Sequence, residues 1–190
     1  MPRKKTFSFK NLIHKNFRRL EQFIFLLKSL LTPRQFIYLS CVLVGISSAL
    51  AVIILKTFAH WVFKSSQKLD DILHLPFSNS TLPIIGIIIT VIIIKKVLDG
   101  SIEKGTSQIM YAVAKKRGIM PRKQMFAQII TSSFTVGMGG SAGLESPITI
   151  TGAAFGSNYA QNYRLSYKDR TLLLACGVAA GIGAAFNAPI

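Results

Sequence analysis

Acidic side chains are scarce in this chain. Seven Asp and Glu stand against 23 Lys and Arg, a formal charge of +16 over 190 residues. Between Lys104 and Lys168 the only acid is Glu145. An enzyme built on Glu145 as general acid or base needs a second acid, a histidine, a nucleophile or a metal beside it. The three histidines, His14, His60 and His74, fall in the basic arm, the first apolar run and the loop after it, away from the interrupted segments around Glu145. No Cys/His metal-ligand spacing occurs, and no phosphate-cradling GxxxxGK[ST]. The only two cysteines, Cys41 and Cys176, both lie in apolar stretches; one disulfide between them is the alternative, and buried free thiols are the expected state. These absences argue against an enzyme and against any metal or organic cofactor. The basic start is too long, and too often broken by polar residues, to read as a secretory signal.

What the chain does have is long apolar runs. Residues 36–63, FIYLSCVLVGISSALAVIILKTFAHWVF, are broken only by Lys56 and His60. Residues 81–94, TLPIIGIIITVIII, stop at Lys95 and Lys96. A helix across roughly 30 Å of hydrocarbon needs about 20 residues. The first run meets that outright. The second meets it by starting near Asn79 and letting Lys95 and Lys96 snorkel. A basic protein of this kind invites a nucleic-acid reading, but the positive charge is segregated from the apolar runs. Residues 1–34 carry nine Lys and Arg against Glu21 alone, and Lys115, Lys116, Arg117, Arg122 and Lys123 form a second cluster. This is the pattern of cytoplasmic segments in a multi-pass membrane protein, with the N-terminus inside and no nucleic-acid partner. Lys64 and Lys68, offset by Asp70 and Asp71, read as an outer loop. Residues 7–31 show apolar positions at helical spacing among basic ones, either an amphipathic helix on the inner membrane surface or a helix packed on the protein. Thr32-Pro33 reads as the N-cap and first residue of the first spanning helix. The expected organisation is a basic cytoplasmic segment, residues 1–32, followed by an all-α membrane domain, residues 33–190.

Beyond Lys96 the long runs give way to shorter pieces, residues 106–116, 121–138, 145–160 and 168–185, interrupted by Gly and Pro. Broken helices at membrane depth leave backbone polar groups unpaired, which is tolerated only where they are buried in protein or line an aqueous path. Their positive N-termini suit anions. Glycines spaced by four, Gly139/Gly143, Gly152/Gly156 and Gly177/Gly181, predict close helix packing. In GLESP, residues 143–147, Gly143 permits unusual backbone angles and Pro147 suits a first helical turn. A helix therefore starts near Glu145, with bare amides at Glu145 and Ser146. Either the Glu145 carboxylate merely caps its own helix, or it shares those amides with an external anion and acts as a gate, pH sensor and proton carrier.

GLESPIT at 143–149 resembles the G(K/R)EGP motif of the CLC family of chloride channels and chloride/proton exchangers. TLLLACGVAAGIGAAFNAPI at 171–190 resembles that family's stretch ending AAAFNAPLAG. The resemblance covers roughly residues 33–190. It implies a bundle of tilted, broken helices forming the first half of an inverted repeat, and a homodimer with one pore per subunit in the plasma or inner membrane. It implies Glu145 as the gating glutamate, amides of Leu144, Glu145 and Ser146 with Gly143 at an external anion site, and chloride or a similar anion, with protons, as cargo. Pro147, Asn187 and Pro189 match the family as structural frame. Two departures stand out. Ser146 replaces the second glycine of GxEGP. The family's GSGIP falls on Glu103-Lys104-Gly105-Thr106-Ser107, so Lys104 stands where an anion-coordinating serine belongs. Thr106 or Ser107 could supply the hydroxyl, Lys104 could attract anions as a point charge, or Lys104 could simply face the cytoplasm. Because the match runs to Ile190 inside a family motif, residues 1–190 are expected not to transport by themselves. The competing readings are a basic membrane-surface protein and a membrane enzyme using Glu145.

Overall fold

A computed structural model describes residues 31–73, 78–97 and 105–188, and every regular element among them is an α-helix. The expected amphipathic segment at 7–31 lies outside the described residues, save Leu31. The helices are α1 (Pro33–Leu73), α2 (Ser78–Val97), α3 (Ser107–Lys115), α4 (Gln124–Gly137), α5 (Glu145–Asn162) and α6 (Tyr167–Phe186). The chain divides into two compact units, residues 1–40 and 41–190.

In the first unit, α1 begins where the sequence places it. Pro33 occupies the first helical position, the Phe36 amide donates to the Thr32 carbonyl at 3.0 Å, and the Thr32 amide donates to Gln35 Oε1 at 3.2 Å. The last of these is the returning half of a capping box, in which the third helical side chain satisfies the N-cap amide.

The second unit holds the rest of α1 and all other helices. From Ile46 to Leu75 the sequence contains neither Gly nor Pro. With no residue to stop it, α1 runs to Leu73, so Lys64 and Lys68 sit on a helix rather than in a loop. Among the described residues, two helical stretches are long and apolar enough to cross a membrane, Pro33–Lys68 and Tyr167–Phe186. α2 spans 20 residues, about 30 Å at the usual rise, and ends on Lys95 and Lys96. Val42, Ile46, Leu50, Ile53 and Trp61 on α1 and Ile84, Ile87, Ile88 and Ile92 on α2 are all exposed. Aliphatic faces of that extent are unusual on a protein surrounded by water and ordinary on one surrounded by lipid. The basic cluster from Lys115 to Lys123 is exposed at the α3–α4 connection.

α4 is gripped by α1 and α2. A methyl group on Gly137 would lie 2.8 Å from Val62 Cβ, and one on Gly86 would lie 2.9 Å from Met138 Cβ. Ser66 Oγ donates to the Gly137 carbonyl at 3.2 Å, and the hydroxyls of Thr90 and Thr135 meet at 3.0 Å. Ser157 on α5 holds the α3–α4 connection: its Oγ donates to the Gly118 carbonyl at 2.5 Å and accepts from the Met120 amide at 2.9 Å.

The closest packing joins α5 to α6. A Cβ on Gly152 would lie 2.3 Å from the Gly177 carbonyl oxygen, one on Gly156 2.2 Å from that of Leu173, and one on Gly177 2.2 Å from that of Gly152. Here backbone touches backbone, and no side chain can yield. The glycine pairs predicted for close packing at Gly152/Gly156 and Gly177 do pack this way. Gly139 and Gly143 do not: they lie in the turn before α5, where Gly139 adopts φ +90° and a Cβ on Gly143 would meet nothing within 4 Å. Spacing by four produces a packing stripe only inside a helix, and this turn is not one. Gly177→Ala or Gly152→Ala in the full-length protein is expected to destabilise the fold by about 3 kcal/mol, the upper end of ordinary overpacking. Gly181→Ala meets only ordinary contacts at 3.5 Å and is expected to be neutral or slightly stabilising. Thermal unfolding of the detergent-solubilised variants distinguishes the two outcomes.

Candidate functional site

The two helices locked together by glycines start and stop differently. α6 opens with a complete cap: Ser166 Oγ accepts from the Asp169 amide at 3.3 Å and donates to Asp169 Oδ2 at 2.6 Å. α5 opens without one. Its N-cap, Leu144, has no side chain able to accept a hydrogen bond. Pro147 has no N–H, and Ile148 is the first amide to close on a carbonyl, that of Leu144, at 3.0 Å. The amides of Glu145 and Ser146 thus lack intrahelical partners at the positive end of the helix dipole.

A cavity of about 540 Å³ lies at this end, lined by Lys56, Thr106, Leu144, Glu145, Ser146, Ile148, Thr149, Ile182, Ala185 and Phe186. Glu145 is exposed, and its side chain makes no hydrogen bond or ion pair with another described residue. Thr149 Oγ1 turns back to the Ser146 carbonyl at 2.8 Å. Thr106, the N-cap of α3, makes no side-chain cap bond, so its hydroxyl is not spent on its own helix. Three of its lining residues, Ile148, Leu144 and Ala185, belong to or pack on a buried apolar cluster with Val52, Leu55 and Ile129. Bare amides, free hydroxyls and a carboxylate on an apolar base suit a small ion that exchanges water for fixed dipoles.

The sequence-predicted residues divide accordingly. Thr106, Leu144, Glu145 and Ser146 come together in one cavity from segments some forty residues apart. Gly105, at φ +74°, and Ser107, the first residue of α3, flank Thr106 without lining the cavity. Gly143 does not line it either, and is not among the glycines with positive φ. Pro147 stands in the first turn of α5. Asn187 ends α6 in the left-handed conformation, φ 52° and ψ 33°, its amide donating to the Gly183 carbonyl. Lys104 and Pro189 lie outside the described residues.

Two residues join this region that the sequence reading placed elsewhere. Lys56, noted only as a break in the first apolar run, lines the cavity and donates to the Ala185 carbonyl at 2.6 Å. Its signal was available, since a lone cation inside an apolar span is functional by default. His60, one turn further along α1, lines an adjoining cavity of about 670 Å³ with Val136, Gly137 and Leu144. That places it beside the interrupted helices, contrary to expectation. Cys41 and Cys176 are free, but only half-buried.

Asn tolerates the left-handed region that a β-branched residue does not. Asn187→Val is expected to cost about 1–2 kcal/mol in thermal unfolding of the full-length protein, and Asn187→Gly a few tenths at most.

Comparison with known proteins agrees with the motifs. The family described as voltage gated chloride channel matches residues 85–190, a segment that includes Thr106, Glu145 and Asn187. A protein of Ralstonia nicotianae named as ClcB-like is 36% identical over 91 residues, covering 46% of this chain and 21% of its own length. The chloride channel protein CLC-c of Arabidopsis thaliana is 36% identical over 85 residues, covering 38% of this chain and 11% of its own length. The chain thus spans about a fifth or less of the curated relatives it matches. No solved structure matches it.

Proposed function

Because the chain belongs to the voltage gated chloride channel family, we propose that the full-length protein carries chloride or a similar small anion across a membrane, with Glu145 as the gate. The observation that carries the reading is the cavity at the uncapped start of α5, where Glu145 shares the wall with Ser146 and Thr106. The names of the two relatives support chloride as the ion. Among the described residues, Glu145 is the one that contributes a carboxylate to the cavity wall. Ionised, that carboxylate competes with an incoming anion for the amides of Glu145 and Ser146. Protonated, it loses most of its attraction for them and yields the place. Acidification therefore frees the site. If the released proton leaves on the opposite side, the same residue couples anion movement to proton movement. If it returns to the side it came from, the residue only gates.

Ser146 puts a hydroxyl where the family motif has glycine, and Thr106 adds another from across the cavity, both of the kind that coordinates anions by donated hydrogen bonds. The exposed aliphatic faces of α1 and α2 support a multi-pass arrangement in lipid, and the basic α3–α4 connection supports a cytoplasmic position for that turn. The family resemblance supports a homodimer with a separate path in each subunit.

The test is chloride flux through the full-length protein in liposomes, with the reversal potential measured in a chloride gradient with and without a pH gradient. Chloride-selective flux that rises as pH falls is expected, as is Glu145→Gln flux that no longer responds to pH. A reversal potential shifted by the pH gradient identifies proton-coupled exchange, and an unshifted one a channel. PH dependence that survives in Glu145→Gln removes Glu145 from the gate.

A further inference from the structure

The same cavity contains an electrostatic conflict. The N-terminal end of α5, which attracts an anion, and the C-terminal end of α6, which repels one, both open on it. The final carbonyls of α6 are not all satisfied from within. The Gly183 carbonyl accepts from the amides of Asn187 and Ala188, the latter at 3.1 Å. The Ala185 carbonyl, in the cavity wall, takes its hydrogen bond from Lys56 Nζ at 2.6 Å. The last turn of α6 has no basic residue of its own, so this cation arrives from α1, 129 residues away in sequence. Among the described residues, Lys56 and Glu145 are the charged ones lining the cavity, and they form no ion pair with each other. Lys56 is also part of the wall shared with the adjoining cavity that holds His60.

We propose that Lys56 is the anion-attracting residue of this cavity: its ammonium masks the negative end of α6 at Ala185 and supplies the positive charge that draws a small anion toward the bare amides of α5. The proposal rests on the anion-transport reading of Glu145 and names what makes that site attractive to its cargo. Without Lys56, the described lining would offer an anion one carboxylate and one helix C-terminus beside the apolar Ile148 and Ile182. With it, the ammonium lies within the same wall as the amides and neutralises the opposing dipole where the two helices converge. Lys56 lies outside the segment matched by the family, residues 85–190, so its assignment comes from the geometry of this chain.

A structural helix cap and an anion-attracting charge make different demands on residue 56. The cap needs a hydrogen-bond donor, whereas the attraction needs a positive charge. In liposomes carrying the full-length protein, the half-saturating chloride concentration is expected to rise about tenfold in Lys56→Met, equivalent to about 1.4 kcal/mol, and to change less than about threefold in Lys56→Arg. For a readout independent of folding, Lys56→Cys is reconstituted with Cys41 and Cys176 replaced by Ala, then labelled with methanethiosulfonates of opposite charge. The cationic reagent is expected to lower the half-saturating concentration toward wild type and the anionic one to raise it. Equal values for the two reagents, or a Lys56→Met protein changed only in maximal flux or thermal stability, overturn the proposal and leave Lys56 a helix cap. Absence of chloride flux in the wild type overturns the transport reading itself, and this assignment with it.

Discussion

The contact on which the rest depends is the meeting of two backbones. Where Gly152 and Gly156 face Gly177 and Leu173, α5 and α6 approach until carbonyl oxygens occupy the space that methyl groups would need. No side chain can adjust there, so the relative position of the helices is fixed more tightly than by interdigitated leucines. The start of α5 and the end of α6 then converge beside α1, and the cavity is what remains between those ends. A looser pair of helices would leave the amides of Glu145 and Ser146 at no defined distance from anything.

Around that contact the protein treats helix ends unequally. α6 is capped in full by Ser166 and Asp169. α5 is left bare, with Leu144 at the N-cap and Pro147 removing one donor. Leaving a helix start uncapped typically costs about 1 kcal/mol. That cost is consistent with a site kept open for exchange, where a carboxylate or an anion supplies in turn what a permanent cap would hold. The C-terminal end of α6 is treated in the complementary way: Asn187 and Ala188 close one carbonyl and Lys56 another, so that little uncompensated negative dipole faces the cavity.

Much of the fold was legible in the sequence because helix boundaries are set by local chemistry. Thr32-Pro33 starts α1, Lys95 and Lys96 fall in the last turn of α2, Glu145 starts α5, and the four interrupted pieces after Lys96 correspond to α3–α6. The expected outer loop at Lys64 and Lys68 failed as a reading because charge does not stop a helix, whereas Gly and Pro do, and none occurs before Pro76. Gly143 permits unusual backbone angles without requiring a left-handed one, and in this turn it is Gly139 that takes a positive φ.

By itself the sequence determined that an isolated carboxylate sits in the first turn of a helix with bare amides, since Gly-Leu-Glu-Ser-Pro allows little else at a helix start, and its motifs pointed to the family. It also determined that α5 and α6 carry glycines at packing intervals. Only the tertiary structure decided which of those glycines touch, that Thr106 shares a wall with Glu145, and that Lys56 reaches the end of α6. These are contacts between residues separated by tens to more than a hundred positions, and periodicity within a single helix contains no information about which neighbour its faces will meet.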